Sequence, residues 1–459
     1  MSDERKTAQM VAEKVARHGG RTFFVGGCVR DMLMGRPSDD VDIEVHDIEP
    51  DVLESILSEI GEVVTMGTAF GVYGLRGSGL DIAMPRLEDA TGIGHRDFKV
   101  FVDPHLGLDK AARRRDFTIN AMMQDVMTGE LFDFYGGLSD IHKRILRHID
   151  DEKFREDPLR VLRAAQFSAR LEFSVAPETD RLMSGMDLGS LAKERVFDEM
   201  RKALEEARMP SRFFSELKKI GQLHIWFPEL ERLIGTPQDP DFHPEGDVWN
   251  HTMQVVDAAA ELRDSANYPL GFMLSAVVHD LGKADTTEKV NGHIHSFNHD
   301  IEGVPVARKF LARLTSDRQL TEYVLSMVEL HMRPALLASQ NSSQKAVNKL
   351  FDLSKDPEDL ILLAEADCLG CGRDKRASFT RNKAYLEEHL KVFRSMMAQP
   401  CVTGKDLVDA GLKPGPEFSE ILGYSHKLRL AGIDRNNALK QTLSYARYLE
   451  KKRDSASSD

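Results

Sequence analysis

At 459 residues the chain is too long for one ordinary hydrophobic core and predicts about three domains, with a composition (41% hydrophobic, 29% charged) typical of water-soluble globular proteins. No stretch approaches the ~18 apolar residues of a membrane span, and the opening "MSDERKTAQMVAEKVARHGG" is charged with no apolar export core. With only four cysteines, the expected setting is the reducing cytoplasm, away from membranes. A net charge of −13 excludes a general nucleic-acid coat, though basic residues cluster locally at "RRR" (113–115) and at Arg144, Arg147, Arg155, Arg160, Arg163 and Arg170.

The opening segment has helical periodicity. Short β-type runs follow, "RTFFVGG", "DVDIEV", "GVYGL" and "LDIAMP", separated by turn signals and by the helix-like "PDVLESILSEIG". An α/β or α+β head is therefore expected at 1–145. Strand signals then nearly vanish. "DPLRVLRAAQFSARLEF", "PETDRLMSGMDLGSLAKERVFDEMRKALEEAR" and "SRFFSELKKIGQLHIWF" read as helices of a neck at 146–235. The Pro/Gly-rich "GTPQDPDFHPEGD" reads as a linker. A histidine-rich helical domain is expected at 236–385, and a helical tail, opened by "CVTGKDLVDAGLKPGPEF", at 386–459.

Chemistry concentrates first in "FFVGGCVRDMLMGRPSDDVDIEV". Side chains alternate along a strand, so Val41, Ile43 and Val45 take one face and Asp40, Asp42 and Glu44 the other. Such a face is often merely solvated. Here a strand, the Gly26-Gly27 turn and a helix start come just before it, and two glycines let backbone N–H groups approach a phosphate closely. Paired carboxylates beside a phosphate cradle suit two Mg2+ ions, one lowering the pKa of an attacking hydroxyl and the other neutralising the leaving pyrophosphate. Asp81, on an expected neighbouring strand, is a candidate third carboxylate.

These residues resemble the first motif of the class II nucleotidyltransferases, the family of the tRNA CCA-adding enzymes and bacterial poly(A) polymerases. "RRRDFTINAM" (113–122) resembles their second motif, "REDPLRVLRAAQF" (155–167) their EDxxR element and "ERVFDE" (194–199) their ERxxxE element. The resemblance implies an α+β fold, with a polymerase β-like head on a small mixed sheet followed by all-α domains, and with catalytic Asp40, Asp42 and Asp81. It places Gly26, Gly27, Arg30, Arg115, Asp116, Asn120, Asp157, Arg160 and Arg163 at the incoming nucleotide. Asp157 and Arg160, three apart on a helix, share a face. A carboxylate only accepts hydrogen bonds and a guanidinium only donates them. Together they match the amino group and ring nitrogen that cytosine and adenine both present, and they clash with uracil and guanine. The loop "LEDATGIGHRDFKVFVDPHLGLDK" is the expected lever that switches C to A.

In the histidine-rich half, His251 precedes the pair His279-Asp280, and Asp367 is the candidate closing aspartate. Imidazole with carboxylate suits a divalent metal, and the order H…HD…D resembles the HD phosphohydrolases. His295, His299 and His331 are further candidates for the metal site or for a substrate phosphate. Cys368 and Cys371 form a single CxxC without a second pair, so no zinc site is expected there. The whole arrangement resembles the HD-containing bacterial CCA-adding enzymes. It implies addition of CCA to the tRNA 3′ end from CTP and ATP, with phosphohydrolase activity in the HD domain (2′,3′-cyclic phosphodiesterase, 2′-nucleotidase or phosphatase). The alternatives are a poly(A) polymerase, a CC- or A-adding specialist and, further off, a protein uridylyltransferase.

Overall fold

The structure, a computed structural model, describes the chain except residues 1–2, 37–40, 66–70, 91–97, 373–375, 400 and 457–459. Its residues fall into two compact units, Met1–Trp226 and Phe227–Asp459.

The first unit opens with the helix Asp3–Arg17, which buries Ala8, Val11, Ala12 and Val15 at helical spacing. The sheet comprises β1 (Arg21–Val25), β2 (Val41–His46), β3 (Val63–Thr65), β4 (Val72–Leu75), β5 (Leu80–Ala83), β8 (Met123–Asp125) and β9 (Leu131–Phe132), in the order β3-β4-β5-β2-β1-β8-β9. Only β2 and β5 run parallel among these pairs, with Asp42 opposite Asp81. Val41, Ile43 and Val45 of β2 pack with Ile82, Val11, Val15, Leu53 and Ile56 into one core. Phe23 and Val25 of β1 pack on the opposite face with Ala112, Ala121 and Met123. The apolar side of β2 is thus covered by helices Asp3–Arg17 and Pro50–Ser58, which directs Asp42 and Glu44 to the other side.

The segment read as a loop is in part a two-stranded ribbon. Its strands β6 (Arg86–Ala90) and β7 (Phe98–Val102) pair antiparallel from Arg86 opposite Val102 to Ala90 opposite Phe98. The β-branched and aromatic run "FKVFV" was the overlooked signal. Helices then dominate: Asp151–Arg155, capped by Asp150, then Leu159–Leu171, Pro177–Ser184, Lys193–Glu206, Ser211–Lys219 and Leu223–Trp226. The long run expected at 177–208 is two helices, interrupted at "MDLGSLA". The short strands β10 (Ile145–Leu146) and β11 (Ser174–Val175) pair parallel across this region.

In the second unit the helices Val248–Leu262, Pro269–Val278, His299–Leu314, Arg318–Leu330, Met332–Ser339 and Pro357–Gly370 surround the histidine cluster. One element departs from the all-helical expectation: β12 (Thr287–Val290) and β13 (His293–Ser296) form a hairpin. Its turn is Asn291-Gly292, both at positive φ, the residue pair such a turn requires. The tail has its own small core of Val402, Leu407, Ile421, Ala438 and Ala446. A reciprocal Thr403–Asp406 cap starts its helix Gly404–Asp409.

Candidate active sites

In the head a cleft of about 540 Å³ opens beside the Gly26 turn. Gly26 has φ 71°, a conformation that glycine adopts without strain. A Cβ there would meet Arg115 Nη1 at 3.1 Å and Asp42 Oδ2 at 3.5 Å. The turn therefore lies directly against one of the expected carboxylates. Asp81 is the in-register neighbour of Asp42 on a parallel strand, so both side chains project from the same face of the sheet. Asp40 lies outside the described residues.

The cleft walls carry Arg30, Arg86, Arg114, Arg115, Arg160, Arg163, Arg170 and Arg195 against Asp31, Asp42, Asp116 and Asp157. This local cationic excess inside an acidic chain suits a polyphosphate. Gly27 and Asn120 also line it. Several expected nucleotide contacts turn out to brace one another. Arg30 is buried; its Nε and Nη2 grip the Asp31 carboxylate and its Nη1 donates to Asn120 Oδ1 at 2.9 Å. Asn120 Nδ2 donates in turn to Asp116 Oδ1 at 2.9 Å, and Arg163 Nε donates to Asp116 Oδ2 at 2.7 Å. Burial alone would raise the Asp116 pKa, but Arg163 and Asn120 outweigh it and hold the carboxyl below its usual range.

Asp157 and Arg160 line the same cleft, yet not as two residues of one helix. Asp157 lies ahead of the helix Leu159–Leu171, and its Oδ1 accepts from the Leu159 N–H. Its Oδ2 accepts from Arg195 Nη2 at 2.8 Å, while Arg160 donates to the carbonyls of Lys153 and Arg114. Proline at 158 ends one helix and starts the next, which removes Asp157 from the helical register. Arg195, the arginine of the ERxxxE element, and the fully buried Glu44 were not anticipated as site residues. Alternation had already placed Glu44 on the carboxylate face, which was the available signal. It accepts from Arg114 Nη2 at 2.7 Å and lies 2.9 Å from His46 Nε2.

In the second unit, glycine at 282 permits a close approach: a Cβ would collide with the His299 carbonyl and meet Gly303 N at 2.7 Å. The helix His299–Leu314 therefore starts against the His279-Asp280 turn. His299 Nε2 lies 3.4 Å and His331 Nε2 3.7 Å from Asp280 Oδ1, and His279 Nε2 lies 3.2 Å from Asp280 Oδ2. His251 Nε2 lies 3.0 Å from Asp367 Oδ1. In His279, His299 and His331 the Nδ1 bonds to the carbonyl three residues earlier, at 2.7–2.9 Å. That places the proton on Nδ1 and aims the Nε2 lone pair inward. These three Nε2 atoms are buried with no hydrogen-bond partner among the described residues. Bare, converging imidazole nitrogens around carboxylates fit a divalent metal. His251, His279 and Asp367 make one group able to hold it, and Asp280, His299 and His331 another.

Of the three further candidate histidines, His299 and His331 thus join the cluster, whereas His295 stays outside it, exposed on β13 and stacked on Phe297. Lys283, unanticipated, lies 2.7 Å from Asp280 Oδ2 and is buried with it; its signal was the short "HDLGK" spacing.

Residues 22–147 match the poly A polymerase head domain, 172–234 a probable RNA and SrmB-binding site of polymerase A, and 248–370 the HD domain. A multifunctional CCA protein of Xanthomonas campestris pv. campestris is 35% identical over 92% of this chain and 100% of its own. That of Actinobacillus pleuropneumoniae is 36% identical over 76% and 85%. Among solved structures, the Bacillus stearothermophilus CCA-adding enzyme in complex with CTP aligns at TM-score 0.68 and 21% identity, covering 98% of this chain and 100% of that one. The Thermotoga maritima CCA-adding enzyme complexed with tRNA aligns at TM-score 0.62 and 19% identity, covering 96% and 95%. Fold, cleft and histidine cluster together define an enzyme with a nucleotidyltransferase head and an HD domain. The chain belongs to the family of multifunctional CCA proteins.

Proposed function

We propose that this chain adds C, C and A to the 3′ end of tRNA from CTP and ATP without a template, and that its HD domain hydrolyses phosphate esters. The observation that carries the first part is Asp42 lying against the Gly26 turn, in register with Asp81, at a cleft walled by arginine. Carboxylate oxygens are the donor type that magnesium takes, so Asp42 and Asp81, with Asp40, are the residues to hold it. When bound there, the ion supplies charge neutralisation at the phosphates and a lowered pKa for the attacking hydroxyl. Arg115, Arg163 and Arg160 place positive charge around the triphosphate, while Asp116 and Asn120 keep Arg163 and Arg30 in position.

Base choice falls to Asp157 and Arg160. Arg195 anchors the first and two carbonyls the second. The two bonds use two of the five guanidinium N–H groups, so Arg160 retains donors for a base edge. A pair held this firmly can accept from the amino group and donate to the ring nitrogen of C or A. The finer division into head (1–145), neck (146–235), HD domain (236–385) and tail (386–459) belongs to the same reading, supported by the spans that match the head and HD families.

For the HD domain, His251, His279, Asp280 and Asp367, with His299 and His331, would hold a divalent metal of unassigned identity, which supplies an activated water when bound. Lys283 keeps a positive charge beside Asp280, where a phosphate can approach. The deciding experiment offers tRNA ending at its discriminator base together with each labelled nucleotide. Incorporation of C, C and then A, ending there and abolished by Asp42→Ala, is the expected result. Long A tails, single-nucleotide products or labelled protein would each overturn it. Hydrolysis of a 2′,3′-cyclic nucleotide, lost in Asp280→Ala, tests the HD reading.

A further inference from the structure

Cys371 caps the C-terminus of the helix Pro357–Gly370. Its Sγ lies 3.6 Å from His243 Nδ1 and 3.8 Å from His251 Nδ1. Both nitrogens also lie 2.8 Å from Glu245 Oε1. The Glu245 side chain is only 3% exposed, and its Oε2 has no hydrogen-bond partner among the described residues. All four donor atoms fall within 4.8 Å of one another. We propose that His243, Glu245, Cys371 and the Nδ1 edge of His251 form a thiolate metal site of the zinc class, distinct from the cluster around Asp280.

Tetrahedral zinc, with bonds of ~2.3 Å to sulfur and ~2.0–2.1 Å to nitrogen, separates those two ligands by about 3.6 Å. The two sulfur–nitrogen distances already have that length. The carboxylate–imidazole pairs are at hydrogen-bond length and need to open by about half an ångström to admit the ion. A thiolate and a carboxylate bring two negative charges to a divalent cation, and the sulfur selects a softer metal than the oxygen donors of the head. The orphaned Oε2 supplies a further oxygen at the same place. A metal with this preference explains why a lone cysteine faces two imidazoles and a buried glutamate.

The site shares His251 with the HD cluster, since Nε2 of the same ring faces Asp367. A ring bound through Nδ1 carries its proton on Nε2 and donates it to Asp367, which withdraws His251 from the other ligand set. Occupancy of one site is therefore coupled to occupancy of the other.

Cobalt(II) added to the full-length, metal-stripped protein is the test, because a cobalt–thiolate bond absorbs in the near ultraviolet whereas nitrogen and oxygen ligands alone do not. The expected result is such a band in the parent protein and in Cys368→Ser, lost in Cys371→Ser and weakened in His243→Ala. Bound zinc should fall by about one ion per chain in Cys371→Ser. Absence of the band in the parent protein, or its survival in Cys371→Ser, overturns the proposal. His243 lies on a partly exposed loop, so its variant separates loss of a ligand from loss of the fold.

Discussion

At Glu44 a fully buried carboxylate meets His46 and the guanidinium groups of Arg114 and Arg115. Burial alone would raise its pKa, but these partners outweigh burial and hold the carboxyl well below the usual range. A depressed folded-state pKa stabilises above the unfolded value of about 4.3, and that stability is lost as the pH falls towards the folded one. Glu44→Gln removes the charge that Glu44 sets against two half-buried arginines, and we expect it to cost about 1–3 kcal/mol at neutral pH. Urea denaturation should show that difference narrowing as the pH drops below about 4. The pair proposed for base choice gives a second expectation. Asp157→Ala removes the acceptor proposed to reject U and G, so discrimination should fall by about 1–3 kcal/mol in single-nucleotide incorporation, with metal binding intact. Arg195→Ala frees the same carboxylate from its anchor and should relax selection in the same direction, by less. Unchanged fidelity in both variants would remove Asp157 from base choice. The sequence motif announced Asp157 and Arg160, whereas the partner of Asp157 stands 38 residues away and became visible only through packing.

Between elements, two contacts set how helices meet. Glu216, on Ser211–Lys219, is largely buried beside Lys219, which also pairs with Asp180 of Pro177–Ser184. Burial first and the Asp180 carboxyl second push the Glu216 carboxyl up to about 7, against the pull of Lys219. A raised folded-state pKa stabilises fully below the unfolded value of about 4.3, and that stability disappears as the pH rises through about 7. Glu216→Gln should therefore gain about 2–3 kcal/mol relative to the parent at pH 8 and little at pH 4, measured by chemical denaturation. In the second unit, Gly370 brings Pro357–Gly370 against Val248–Leu262: an added Cβ would collide with the Val255 side chain and meet its backbone N at 3.0 Å. We expect Gly370→Ala to cost about 1–3 kcal/mol and to weaken divalent-metal affinity, because the same helix carries Asp367 to His251. Most of these elements were legible, since apolar periodicity acts over a few residues. The β6–β7 ribbon and the β12–β13 hairpin were not read, because short strands that pair only with each other carry little apolar alternation.

For the whole molecule, metal is the expected link between folding and activity. Three bare imidazole nitrogens and the Asp280 carboxylate are buried in the second unit, and an ion binding only the folded state stabilises it by about 2.7 kcal/mol at a hundredfold excess over Kd. Calorimetry with and without chelator should show a metal-dependent transition that shifts upward with added ion, and shifts less in Asp280→Asn. No described helix is long and apolar enough to cross a membrane. What the sequence alone determined were the features that depend on near neighbours: Asp42 and Glu44 on one face of a strand, glycines at the turn before it, the His-Asp pair and the helical half that carries it. Their chemistry follows from spacing, and spacing is visible in one dimension. Tertiary structure decided which partners those groups meet. Glu44 was buried under two arginines 70 and 71 positions downstream, and His243 was brought to Cys371 across 128 residues. Those contacts depend on how helix and strand faces pack, and a polar residue does not encode which distant surface will cover it.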